Sequence, residues 1–137
     1  MPQQNTTTTM QAYLDALVAR SNFEAYLADD ATFEIMGTDQ KVYGRDAVRD
    51  TIVWMHTQAF DAQPKVRTVI AGDNQAALEA DFIGTHTGEF AGVAATGRSV
   101  NIPYSVIYDL ESDKITALRA YIPMDQLARQ ISGDAQD

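Results

Sequence analysis

Apolar residues recur at the spacing of one helical face in three segments of the chain. These segments predict a helix over residues 10–21, a long helix that begins after Gly44 and ends before Pro64, and a closing helix over residues 124–131. A Ser-x-x-Glu capping box that starts at Ser21 predicts a short further helix to about Ala28. Helical segments are therefore expected near both ends of the chain and in its middle.

The remaining apolar residues mostly alternate with polar ones, which is the pattern of a strand with one buried face. A first strand is predicted over residues 31–36. Four more are predicted over residues 65–71, 75–90, 99–110 and 114–122. Because these four follow one another without helices between them, the order favours an α+β fold with one curved antiparallel sheet wrapped around the helices.

The length of the chain suits a single domain. It has 137 residues, of which 45% are hydrophobic, and single domains cluster at about 100 to 150 residues. Residues 2–9 read PQQNTTTT, so we predict a disordered or frayed tail over residues 1–9. One domain is then expected over residues 10–131, followed by a tail over residues 132–137.

Charge and cysteine content exclude several functions. Nineteen acidic residues against ten basic ones give a net charge of -9, which repels phosphate backbones and anionic lipids. We therefore expect neither nucleic acid nor a membrane as a partner. The chain has no cysteine, so it has no disulfide, thiolate nucleophile or cysteine-ligated metal, and a reducing cytoplasm is the simplest compartment.

Short motifs along the chain resemble the SnoaL-like polyketide (ester) cyclase family of the nuclear transport factor 2-like superfamily. The most specific is GTHTGEFAG at residues 84–92, followed by Thr-Gly-Arg at 96–98 and Asp-Lys-Ile at 113–115. The segments GRDAV at 44–48 and LADDA at 27–31 are also similar to that superfamily. The resemblance covers about residues 10–131.

The resemblance implies a cone-shaped α+β barrel whose wide mouth holds a mostly apolar pocket, usually within a homodimer. It also implies acid/base chemistry on an activated carbonyl or an epoxide, without metal or organic cofactor, so the expected partner is a small hydrophobic molecule. Because this fold hosts enzymes, binding modules and assembly domains, the activity depends on the residues of the pocket.

The catalytic positions of three groups of relatives are only partly retained in this sequence. Aldol-type cyclases carry an aspartate on the final strand, where this chain has Ala120. Limonene-type epoxide hydrolases use the same aspartate with an Arg-x-Asp pair, which is Glu-Ala-Asp here at residues 79–81. The resemblance to ketosteroid isomerases places their base at Ile35 and a second donor near Ser105, and retains only the phenol of Tyr13.

The remaining candidates for acid/base work are Asp81 and His86, with Tyr13 as a hydrogen-bond donor. Two interpretations of the long strand compete. In one, the Leu78 and Phe82 face is buried and Asp81 is solvated. In the other, which follows the epoxide hydrolases, Asp81 points into the pocket and the Leu78 and Phe82 face forms a dimer contact. The residues expected to bind substrate are Phe33, Ile35, Trp54, Glu79, Ser105, Leu118 and Ala120.

Several polar side chains also have structural interpretations. His86 is either an acid/base group or a structural imidazole bonded to a backbone carbonyl at a bend. Arg119 is expected to pair with Glu34 or Asp81. Asp50, His56 and His86 are the only conceivable metal set, and they lack ligand spacing of the His-Glu-x-x-His kind, so no metal site is predicted.

Three functional hypotheses follow. The first is a cyclase-like or isomerase-like enzyme that acts on a small hydrophobic carbonyl compound by cofactor-free acid/base chemistry. The second is a non-catalytic pocket for a small apolar ligand, which the losses at Ile35 and Ala120 favour. The third is a dimerisation module, which predicts a filled interior.

Overall fold

The computed structural model describes residues 2–132, which form three α-helices, one short 3-10 helix and six strands within that range. The helices are α1 (Pro2–Val18), α2 (Arg45–Thr57) and α3 (Met124–Ser132), with the 3-10 helix at Phe23–Tyr26. The strands are β1 (Leu27–Ile35), β2 (Lys41–Tyr43), β3 (Phe60–Ala71), β4 (Gln75–His86), β5 (Ser99–Glu111) and β6 (Lys114–Tyr121). This arrangement confirms the predicted α+β class.

The six strands form one sheet in the order β2-β1-β6-β5-β4-β3. Strands β3 to β6 form an antiparallel meander, as predicted. The β1 strand runs parallel to β6, with Phe33 opposite Leu118 and Ile35 opposite Ala120, so the sheet is mixed and the all-antiparallel prediction is wrong at this pair. The two strands are far apart in sequence, and residue alternation carries no information about their relative direction.

The first helix starts earlier than predicted, since α1 begins at Pro2 rather than near residue 10. Proline suits the first turn of a helix because it has no amide hydrogen to leave unpaired. Thr6 and Thr9 are buried against two hairpin turns: Asn74 N donates to Thr6 Oγ1 at 3.2 Å and Thr9 Oγ1 donates to the carbonyl of Asp113 at 3.3 Å. These contacts order a segment that was predicted to fray. Of the predicted C-terminal tail, Ser132 belongs to α3 and residues 133–137 lie outside the described residues.

The predicted capping box at Ser21 does not form. Only a four-residue 3-10 helix follows it, its cap residue Asn22 makes no side-chain capping bond, and the chain enters β1 at Leu27. Burial of Phe23 in the core holds this turn against α1, so packing decides the local structure here.

All three helices contribute to a core on one face of the sheet. Leu78, Ala80 and Phe82 of β4 point to this face and pack with apolar side chains of α1, α2 and α3. The β4 strand ends at His86, short of its predicted end at residue 90, because the amides of Thr87 and Gly88 donate to the carbonyl of Ala59 at 3.0 Å. The helical face of the sheet is therefore the interior of the fold, and the opposite face carries no helix of the described chain.

Candidate active site

A small cavity of about 60 Å³ lies between the helices and the interior face of the sheet. Its walls are mostly apolar and include Phe33, Phe82, Leu118 and Ala120. Its hydrogen-bonding side chains are one imidazole and three phenols, from His56, Tyr13, Tyr104 and Tyr108. No carboxylate is present among the described residues that line it. Any charge that develops in this cavity must therefore be stabilised by neutral groups.

A wider pocket of about 280 Å³ adjoins this cavity. Phe33 and Met55 line both spaces, and Ile35 and Trp54 line the outer one. Its polar side chains are Gln40, Lys41 and Thr51. Ligand sites typically measure about 300 to 1,000 Å³, so the outer pocket is close to ligand size and the inner cavity accommodates only part of a ligand.

His56 contributes its imidazole ring to the wall of the inner cavity. Its Nδ1 lies 2.8 Å from the carbonyl oxygen of Ile52, one helical turn earlier. Since a carbonyl only accepts hydrogen bonds, Nδ1 carries the hydrogen and Nε2 holds the lone pair of the neutral ring. Nε2 is shielded from solvent and has no hydrogen-bond partner. The ring stands edge to face with Phe82 at a centroid distance of 5.3 Å.

Burial keeps the His56 ring neutral. It lowers the pKa of His56, and the nearby positive charge of Arg20 lowers that pKa further, although the bond to Ile52 acts in the opposite direction. One guanidinium nitrogen of Arg20, Nη2, donates to the His56 carbonyl at 3.2 Å and the Ala62 carbonyl at 3.0 Å, and it pairs with Asp61 Oδ1 at 2.7 Å. Arg20 therefore joins the last turn of α2 to the start of β3.

The three tyrosines bring phenol side chains to the wall of this cavity. Tyr13 and Tyr108 are almost completely buried, and their rings meet edge to face at 5.9 Å. Burial is the main reason that the pKa values of Tyr13, Tyr104 and Tyr108 are raised far above their usual range. All three phenols therefore stay protonated at neutral pH.

Asp81 lies outside the cavity. It projects from the opposite face of β4, where the Nε and Nη2 atoms of Arg67 each approach its Oδ2 at 2.8 Å. Glu79 shares that face and is exposed, and Ser105 lies directly across from Glu79 on β5. The structure therefore agrees with the first interpretation of this strand, in which Leu78 and Phe82 face the interior of the fold and Asp81 does not. Asp81, Glu79 and Ser105 are not brought to the cavity.

His86 is buried but does not line the cavity. Its Nδ1 accepts the backbone amide of Thr96 at 3.2 Å and lies 2.9 Å from the Thr96 hydroxyl. The backbone amide and carbonyl of His86 also pair with Arg98 and Gly97. The imidazole thus ties the loop over residues 96–98 to the end of β4, with Thr96 in place of the expected backbone carbonyl.

The other predicted site residues divide between the two pockets. Tyr13, Leu118 and Ala120 line the inner cavity, Ile35 and Trp54 line the outer pocket, and Phe33 lines both. Arg119 pairs with neither Glu34 nor Asp81. Its guanidinium holds both carboxylate oxygens of Asp109 at 2.6 and 3.2 Å, which lowers the pKa of Asp109.

Sequence reasoning missed three members of the inner cavity, namely His56, Tyr104 and Tyr108. A signal for each was present. His56 follows Ile52 by four residues, which places both on one side of α2, and Tyr104 and Tyr108 alternate with Ile102 and Val106 along β5. Across residues 2–132 no cluster of three or more metal-binding side chains occurs, and no helix is long and apolar enough to cross a membrane.

Comparison with known proteins assigns the family. The profile of the SnoaL-like polyketide cyclases matches residues 7–131. This chain belongs to that family. A comparison with curated proteins gives no significant match.

Solved structures of SnoaL-like and related proteins share its fold. A proposed polyketide cyclase from Xanthomonas campestris pv. campestris is 20% identical, with a TM-score of 0.84 over 96% of this chain and 99% of that one. A proposed SnoaL-like polyketide cyclase from Jannaschia sp. CCS1 is 15% identical, with a TM-score of 0.85 over 96% and 94%. An LEH-like epoxide hydrolase from M. tuberculosis is 14% identical, with a TM-score of 0.73 over 96% and 92%. One fold therefore accompanies different named reactions, so the pocket of this SnoaL-like protein must supply the evidence for its activity.

Proposed function

We propose that this SnoaL-like protein is an enzyme that rearranges a small hydrophobic carbonyl compound by acid/base chemistry of the cyclase or isomerase type. The observation that carries the proposal is the composition of the inner cavity, which is apolar except for protonated phenols and a neutral imidazole. A phenol that donates a hydrogen bond to a carbonyl oxygen stabilises it more in such a cavity than in water, because the low dielectric strengthens the hydrogen bond.

The two adjoining pockets suggest how a substrate binds. The inner cavity takes the carbonyl end, and the outer pocket, with Trp54 and Phe33 in its wall, takes the rest of the molecule. As the carbonyl becomes an enolate, a phenol such as that of Tyr13 stabilises the oxygen. The raised pKa of the phenol keeps its proton available for this bond. The proposal needs no metal or organic cofactor.

Substitution of Tyr13 tests this arrangement. Tyr13→Phe keeps the ring and removes one donor, so we expect turnover of a small ketone substrate to fall by about 100-fold, the usual effect of losing one oxyanion donor. Tyr43→Phe is the matched control, since Tyr43 is 69% exposed on β2. Equal turnover by the two variants would contradict the role of Tyr13.

A non-catalytic binding module is the second candidate. It is favoured by Ala120 and Ile35, which stand where the family resemblance places acids and line the pockets as apolar groups. This candidate predicts saturable binding of a hydrophobic ketone with no isotope exchange or turnover. Calorimetry combined with a turnover assay on the same protein separates the two.

We also propose that the chain forms a homodimer through the face of the sheet opposite the helices. Ile70, Ile83 and Tyr121 are exposed there, beside the ion pairs of Asp81 and Asp109. A carboxylate placed in the middle of this surface should prevent its burial, so Tyr121→Glu is expected to give monomers in sedimentation experiments. Tyr43→Glu, on the edge strand β2, is the control that should leave the assembly intact.

The proposed compartment is the cytoplasm, which the absence of cysteine suits.

A further inference from the structure

We propose that His56 is the general base of the inner cavity and that the substrate carries an acidic C–H bond next to its carbonyl group. This inference rests on the proposed function and deepens it. The proposal depends on the tautomer of His56, on the surroundings of its Nε2 atom and on the absence of a competing base from the cavity lining.

The hydrogen bond to Ile52 leaves Nε2 free to accept a proton. A helix carbonyl has no hydrogen to give, so Nδ1 must donate across the 2.8 Å contact, and the neutral ring then has its lone pair on Nε2. The ring cannot turn over without losing this bond. The helix thus performs the orienting role that a second residue performs in many catalytic histidines.

The position of Nε2 also suits a base. The atom has no access to water and no protein partner, while the ring forms part of the cavity wall beside Phe82. A buried acceptor without a partner is unfavourable in the empty protein, and a ligand that offers a hydrogen relieves that penalty. The Nε2 atom of His86 is also buried without a partner, but His86 does not line the cavity. Only the unpaired nitrogen of His56 therefore belongs to a ring that a ligand in the cavity can contact.

No other described group in the lining competes for the role. The carboxylate predicted as the base, Asp81, projects from the far face of the sheet onto Arg67. The family's last-strand position is Ala120, which is apolar. The remaining polar groups are the protonated phenols of Tyr13, Tyr104 and Tyr108, which donate more readily than they accept.

The charged groups around His56 support a neutral resting state. From the loop after α1, Arg20 binds the His56 carbonyl, and from β3, Asp61 neutralises much of the Arg20 charge. From α1 and β5, the neutral phenols of Tyr13 and Tyr104 line the same cavity. Burial lowers the pKa of His56, so the ring is a free base at neutral pH.

The step balances with these groups alone. The C–H bond next to the carbonyl breaks, the proton moves to Nε2, and the electron pair forms the carbon–carbon double bond of an enolate. His56 becomes an imidazolium that still donates from Nδ1 to Ile52, and a phenol holds the enolate oxygen. In a substrate with a double bond conjugated to the enolate, return of the proton from Nε2 to the far carbon of that dienolate completes an isomerisation. Alternatively, the enolate carbon attacks a second carbonyl of the same substrate, and the alkoxide that forms takes the proton from Nε2 to complete a cyclisation.

Deuterium exchange tests the base without knowledge of the natural substrate. The probe is β-tetralone, a small bicyclic ketone, in D2O at neutral pH, with deuterium uptake next to the carbonyl followed by NMR and binding measured separately by saturation transfer. We expect wild-type protein to accelerate uptake and His56→Gln to reduce the acceleration by about 100-fold or more, within the range for loss of a general base. The matched control is His86→Gln, the same substitution outside the cavity, which should retain exchange.

A second measurement avoids the risk that a variant misfolds. β-Naphthol, which imitates the enol of β-tetralone, is added to wild-type protein labelled with ¹⁵N histidine. The Nε2 signal of His56 should move toward that of a hydrogen-bonded or protonated nitrogen, while its Nδ1 signal stays protonated. Exchange at the wild-type rate in His56→Gln, or binding of both probes with an unchanged Nε2 signal and no exchange, would overturn the role of His56. Failure of β-tetralone to bind would instead overturn the proposed function on which that role rests.

Discussion

The two histidines of the chain each have a buried Nε2 atom without a hydrogen-bond partner, yet they carry their hydrogen on opposite nitrogens. His56 donates from Nδ1 to a carbonyl, whereas His86 receives a backbone amide at Nδ1. In the neutral rings, Nε2 is therefore a free base in His56 and an N–H group in His86. The backbone group that meets Nδ1 decides which imidazole is able to accept a proton. The comparison teaches that burial alone does not identify a catalytic histidine, since the structural one is the more deeply buried.

The largest expected difference between the two histidines is in stability. His86→Ala removes a completely buried ring, its bonds to Thr96 and its contact with Phe60, so we expect it to lower the free energy of unfolding by about 3 kcal/mol. His56→Ala enlarges an existing cavity, so it should lower the free energy of unfolding by less than His86→Ala does. Urea denaturation of both variants measures the difference. A larger loss in His56→Ala would show that the proposed division of roles is wrong.

The different roles of His56 and His86 could be predicted only in part from the sequence. The motif around His86 marked that residue, and alternation along β4 correctly allowed an interior face with Leu78 and Phe82. The alternative, drawn from the epoxide hydrolases, placed Asp81 inside, and the geometry of β4 does not allow it. The sequence singled out His56 only as a conceivable metal ligand, because helical spacing gives its side of α2 but not its tautomer, which depends on a single contact with Ile52.

The fold shows the same limit on prediction. The long periodic strands β5 and β6 were predicted to within one residue of their observed ends. The long helix was predicted to continue to Pro64, but α2 ends at Thr57 and β3 already begins at Phe60. The first turns of α1 were missed because Thr6 and Thr9 gain their partners from turns that lie more than 60 residues away. The β2 strand has three residues, too few to show alternation. Local patterns fix periodic elements, whereas contacts between distant residues fix the rest.

The next difference between the histidines is a dependence of stability on pH. The pKa of His56 is lowered on folding from a value of about 6.5, chiefly by burial. At a pH between the folded-state and unfolded-state pKa values of His56, the unfolded chain binds more protons than the folded one. The stability that is present above pH 6.5 is therefore lost as the pH falls through the folded-state pKa. A tenfold difference in proton affinity corresponds to about 1.4 kcal/mol.

His56→Phe removes this group and keeps a ring of similar shape against Phe82. We expect the unfolding free energy of the variant to fall less than that of wild type between pH 7 and pH 5, and thermal melts in matched buffers measure the difference. Arg119 lowers the pKa of the Asp109 carboxyl below its ordinary value of 3.8, so the stability that Asp109 contributes is lost only at a lower pH. That contribution is the same in wild type and in the His56→Phe variant. Parallel curves over the whole range would show that the His56 pKa is not lowered.

The smallest expected effect lies in the ion pair that anchors the last turn of α2. Arg20→Met keeps the alkyl chain but removes a positive charge that lowers the pKa of His56, so that pKa should rise. Asp61→Asn leaves Arg20 without its counter-charge, so the pKa should fall. Titration of the His56 ring by NMR measures both. Because the pair is partly exposed, solvent screens it, and burial remains the main cause of the lowered pKa. Shifts in opposite directions would show that the charge of Arg20 reaches the imidazole, and shifts in the same direction would show that the two substitutions act by moving α2 instead.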